Sequence, residues 1–140
     1  MSSSSIDDVR PSESKYLLDS SALLAVILDE PGNERIVKEL ERGALMSAVN
    51  LGEVAARLQE NGFTSADVAN TITELQVQIV PFLEAHALSA GELRASTKAY
   101  GLSLGDRCCI ATAIVTDMPI LTADKVWAQL DVGVTIELCR

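Results

Sequence analysis

Short apolar segments alternate along this chain with longer ones whose apolar residues recur at helical spacing. Lys15-Tyr-Leu-Leu-Asp19 predicts a first strand. Ser20-Ser21 are suited to cap a helix whose apolar body is Ala22 to Leu28. Pro31-Gly32 breaks the chain, and Asn33 then caps a second helix with Ile36, Val37 and Leu40 on one face, ended by Gly43. Leu45 to Val49 predicts a second strand. Asn50 is expected to open a third helix: Leu51, Val54, Ala55 and Leu58 share one face, while Asn50, Glu53 and Arg57 share another.

After Asn61-Gly62, Thr64 or Ser65 starts a fourth helix striped by Val68, Ile72 and Leu75. Gln78 to Phe82 predicts a third strand, with Pro81 marking its end or an edge of the sheet. Glu84 to Tyr100 predicts a long helix, with Gly91 as a point of interruption. Asp106 is expected to open a helix apolar nearly all round, from Cys108 to Val115, and therefore buried. Pro119 to Thr122 predicts a fourth strand, Lys125 to Leu130 a brief helix and Val134 to Leu138 a last strand. This alternation implies an α/β fold: one domain with a five-stranded, mainly parallel sheet and helices on both faces.

The domain spans 15–140. Residues 1–14 are serine-rich with Asp7, Asp8 and Glu13, have neither a basic start nor an apolar stretch, and are expected to form a flexible tail rather than a secretory signal. The longest apolar run, Ala22 to Leu28, is far short of a membrane span. A net charge of −9 disfavours a broad basic surface for nucleic acid and leaves any anionic ligand to a few local cations. Three cysteines, two of them adjacent, make no disulfide framework, and a single histidine, His86, disfavours structural zinc. A cytoplasmic protein with reduced thiols is expected.

The topology turns the acids into a search. Ligands of open α/β sheets bind beyond the carboxyl ends of the strands. Asp19 ends the first strand, Asp124 follows the fourth, Glu53 lies one turn into the helix after the second, and Asp106 starts the helix that feeds the fourth. Each acid has an ordinary reading open to it: a helix cap for Asp106 and Asp124, a turn for Asp19, a solvated side chain for Glu53. Four carboxylates in one cleft repel each other unless protonated or neutralised by a cation. Oxygen donors without histidine or cysteine favour a hard ion, Mg²⁺ or Mn²⁺, and such a site suits in-line attack of a bound water on phosphorus.

Leu17-Leu18-Asp19-Ser20-Ser21-Ala22-Leu23, Ser47-Ala48-Val49-Asn50-Leu51-Gly52-Glu53-Val54, Leu104-Gly105-Asp106-Arg107 and Ile120-Leu121-Thr122-Ala123-Asp124 together resemble the PIN-domain ribonucleases. In length and layout the chain is most similar to the VapC toxins of bacterial toxin–antitoxin pairs, from about Lys15 to Leu138. That resemblance implies a five-stranded parallel sheet, Mg²⁺- or Mn²⁺-dependent endoribonuclease activity on transfer or ribosomal RNA, a homodimer and a small antitoxin threading the acidic cleft. It implies that Asp19, Glu53, Asp106 and Asp124 are the catalytic, metal-binding acids, with Asp19 and Asp106 the most direct ligands. Ser21 and Thr122 would orient carboxylates, and Asn50 would position Glu53 or the substrate. Arg107, beside Asp106, is a candidate phosphate contact, with a salt-bridge role equally open.

Other readings leave marks in the sequence. No Gly-x-Ser-x-Gly accompanies His86, which reads as a surface residue, and no glycine-rich nucleotide loop is present. Cys108 and Cys109 read as core; Trp127 and Leu130 read as core or a dimer contact. A receiver-type phosphoacceptor domain needs paired acids after its first strand and a lysine after its last, and neither is there. A PIN-like binding module without catalysis is the remaining alternative, and the four intact acids argue against it.

Overall fold

The computed structural model describes residues 15–140; the expected tail lies outside them. Thirteen elements follow in chain order. They are β1 (Leu17–Leu18), α1 (Ser20–Ile27), α2 (Asn33–Arg42), β2 (Leu45–Ser47), α3 (Ala48–Glu60), α4 (Ser65–Leu75), β3 (Gln78–Val80), α5 (Glu84–Thr97), a 3₁₀ turn (Lys98–Tyr100), α6 (Leu104–Thr116), β4 (Ile120–Thr122), a second 3₁₀ segment (Lys125–Gln129) and β5 (Ile136–Leu138). The five strands form one sheet in the order β3-β2-β1-β4-β5, every pair parallel. A receiver domain is ordered differently, with its first strand second from an edge.

The strands are shorter than the sequence predicts, and their pleat decides the layers. Leu17 and Leu18 are both fully buried but point to opposite faces. Leu18 and Leu121 pack with Ala22, Leu23, Ile36, Met46, Val54 and Leu58 under α1 to α4. Leu17 and Ile120 pack with Leu93, Cys109, Ile110 and Trp127 under α5 and α6. Trp127 is thus core. Both adjacent cysteines are buried, and Cys139 is free and half-buried. β3, followed by Pro81, is an edge strand with Gln78 and Ile79 exposed.

Several helix starts differ from expectation, in three cases because a side chain further upstream takes the cap. Asp19, not Ser20 or Ser21, caps α1. Gly32 precedes α2, leaving Asn33 as its first residue. Ser47 caps α3, so Asn50 lies inside the first turn and is buried. Ser103 caps α6 in a capping box, and Asp106 is its third residue rather than its first. α5 runs straight through Gly91, beside which a side chain would meet nothing within 4 Å. Among the described residues no helix is long and apolar enough to cross a membrane.

Candidate active site

Three helix N-termini and one strand end converge at the carboxyl edge of the sheet. β1 passes directly into α1 and β2 directly into α3, so both helices begin there. α6 returns the chain to the start of β4, so its N-terminus lies at the same edge. Unsatisfied N–H groups at such termini favour negative charge.

Asp19 is the most enclosed of the four acids, at 4% exposure. Its Oδ1 accepts the Ala22 amide at 3.0 Å, and Thr122 donates to Oδ2 at 2.8 Å. Ser21 Oγ lies 2.8 and 2.9 Å from the two oxygens. The same hydroxyls bind the chain after β4: Ser21 Oγ accepts from the Ala123 amide at 3.1 Å and Thr122 Oγ1 from the Asp124 amide at 3.0 Å. Burial raises the Asp19 pKa to about 6, against the pull of those hydrogen bonds and with a further push from Asp106.

Glu53, in the second turn of α3, reaches across to α1 and α6. Ser20 donates to its Oε1 at 2.6 Å and Asn50 Nδ2 at 2.8 Å. Asn50 also donates to the Gly105 carbonyl at 3.2 Å, tying α3 to α6. Asn50 Oδ1 is buried without a partner. Asp106 sits in its capping box, with Oδ2 accepting the Ser103 amide at 3.0 Å. Burial raises its pKa, Ser103 opposes this, and Glu53 and Asp124 raise it further by repulsion. Asp124 caps the 3₁₀ segment through Val126, so its expected capping role holds. The buried thiol of Cys109, just behind, is pushed well up by burial and then by Asp19, Asp106 and Glu53.

The four expected acids therefore lie in one neighbourhood linked by repulsion: Glu53 and Asp124 push Asp106 up, and Asp106 pushes Asp19 up. Among the described residues no three of them already close into an ion-binding group. Their chemistry nonetheless fits a hard divalent cation: all donors are carboxylate oxygens, and Asp19 and Asp106 have raised pKa values. Arg107 Nη1 lies 3.5 Å from the Ala90 carbonyl, and its Nε is buried without a partner. His86 is a correction. It is 3% exposed, and its Nδ1 accepts the Leu83 amide at 2.9 Å, capping α5. Sequence reasoning missed Ser20, read only as a cap, and gave Gly105 no role.

Among solved structures, DNA-bound VapBC from Salmonella typhimurium is similar with a TM-score of 0.71 and 17% identity, over 91% of this chain and 99% of that one. A toxin–antitoxin complex from Klebsiella pneumoniae is similar with a TM-score of 0.67 and 19% identity, over 90% and 98%. VapBC2 from Rickettsia felis, bound to a promoter DNA fragment, gives 0.68 and 18%, over 88% and 97%. At such identities the likeness is one of fold. No curated protein matches the chain by sequence. The family model described as PIN domain matches residues 16–133, which is most of the chain and includes all four acids; the chain belongs to the PIN-domain family.

Proposed function

We propose that this PIN domain is a metal-dependent endoribonuclease toxin held in check by a cognate antitoxin. The observation that carries the reading is the gathering of Asp19, Glu53, Asp106 and Asp124 at the carboxyl edge of the sheet, where Asp19 is buried and raised to about pKa 6. A lone structural carboxylate has no reason to be kept there beside further acids, whereas carboxylates awaiting a cation do. The toxin and antitoxin parts rest on fold likeness to complexes described in those terms. A homodimer and a transfer or ribosomal RNA substrate belong to the same proposal.

Asp19 and Asp106 would hold Mg²⁺ or Mn²⁺ most directly, with Glu53 and Asp124 completing the site. The ion, when bound, supplies a nucleophilic water at neutral pH and stabilises charge on the phosphate oxygens. The protein's own residues orient the carboxylates. Ser21 and Thr122 fix both oxygens of Asp19, and Ser20 and Asn50 fix one oxygen of Glu53. Ser103 holds Asp106 at the start of α6.

The test is cleavage of total bacterial RNA by the purified chain with Mg²⁺, Mn²⁺ or EDTA, wild type against Asp106→Asn. Discrete metal-dependent fragments that the variant does not produce support the proposal. A folded, antitoxin-free protein that cuts no RNA with either ion overturns it in favour of a binding-only PIN scaffold.

A further inference from the structure

Gly105 is the second residue of α6, buried and in ordinary helical conformation. Nothing in its backbone calls for glycine, which weakens a helix relative to alanine. The reason lies across the cleft. A Cβ at this position would stand 1.9 Å from Glu53 Oε2, 2.5 Å from its Cδ and 2.8 Å from its Oε1. Its three nearest neighbours would all be atoms of one carboxylate.

A long glutamate usually swings aside at little cost. Here it is held: Ser20 and Asn50 both donate to Oε1, and moving the carboxylate breaks both bonds. Asn50 already has a buried, unpartnered Oδ1, so losing its amide partner would leave it still less satisfied. The Asn50 bond to the Gly105 carbonyl also fixes the helix at the contact point, so the backbone cannot retreat without cost.

We infer that Gly105 is a positioning residue: its missing side chain is the space that lets the Glu53 carboxylate lie against the first turn of α6, beside Asp106. The importance of that placement rests on the proposed reading of Glu53 as a metal-site carboxylate, whereas the contact itself does not.

The experiment is a double-mutant cycle in the full chain: wild type, Gly105→Ala, Glu53→Asp and the pair. Mn²⁺ binding is followed by calorimetry, and thermal unfolding is followed in EDTA. With Glu53 present, Gly105→Ala should weaken Mn²⁺ binding about tenfold. In the Glu53→Asp background, where the carboxylate is one methylene shorter, it should cost little further affinity and raise Tm by about 3 °C, as alanine does in an open helical position. With Glu53 present, no such rise should appear. Equal effects in both backgrounds, or full Mn²⁺ affinity in Gly105→Ala, would overturn the inference. Wild type that binds no Mn²⁺, with Tm values still coupled, supports the contact and counts against the metal site alone.

Discussion

Thr122 donates its hydroxyl to Asp19 across the boundary between β4 and β1, at 2.8 Å and 103 residues apart in sequence. The parallel register sets Leu18 beside Leu121, so the residue after each strand core reaches the same edge. That bond holds the Asp19 pKa down against burial. Thr122→Val keeps the shape and removes the donor. It should move the Asp19 pKa further above 6 and weaken Mn²⁺ binding about 10-fold or more. Calorimetric titration at pH 7, set beside the pH dependence of cleavage, checks both.

The raised Asp19 pKa fixes the sign of a pH effect on the metal-free protein. The folded state keeps a proton that the unfolded chain releases, because the pKa lies at about 6 rather than 3.8. The stability due to the neutral carboxyl is full below about pH 4 and is lost as pH rises through 6. The difference between those two values amounts to about 3 kcal/mol. Asp19→Asn is neutral throughout and escapes that loss. In EDTA, its stability in urea relative to wild type should therefore grow between pH 4 and 7. Mn²⁺ at pH 7 should raise the wild type alone, by about 3 kcal/mol at a hundred times its Kd.

The layout of this edge was legible because it follows local rules. Asp19 and Asp124 follow strands marked by short apolar runs, and helix starts after parallel strands point one way. The clamp on Glu53 was not legible. Ser20 lies 33 residues away, and the Gly105 contact depends on how α3 meets α6, which no local period encodes. The helix starts at Ser47 and Ser103 were present as capping signals, but the more conspicuous Asn50 and Asp106 drew the boundary two or three residues late. His86 also had a signal: with Ala90, Leu93 and Thr97 it forms the buried stripe of α5, which the sequence reading passed over.

That stripe gives His86 a structural consequence away from the acids. Its ring is buried against Phe82, with centroids 5.6 Å apart, and its Nδ1 accepts the Leu83 amide. His86→Ala removes a cap and leaves a cavity. It should cost about 2–3 kcal/mol of stability while leaving Mn²⁺ affinity unchanged. Chemical denaturation together with calorimetry separates the two; a loss of metal affinity in a folded variant would contradict the assignment.

Arg107 separates two roles that the sequence left open. A salt-bridge role predicts a carboxylate at its guanidinium, but the guanidinium meets the Ala90 carbonyl at 3.5 Å, a long bond, with Nε buried and unpaired. So weakly held a cation, one residue from Asp106, is available to a phosphate of bound RNA. Arg107→Ala should then raise KM several-fold at little change in kcat, since a contact to an unreacting phosphate stabilises ground state and transition state alike. It should also lower the salt slope of RNA binding by about one ion. Lys in its place should restore the salt slope, because charge alone carries that part, whereas a role as a brace between α5 and α6 would show as lost thermal stability with the salt slope intact.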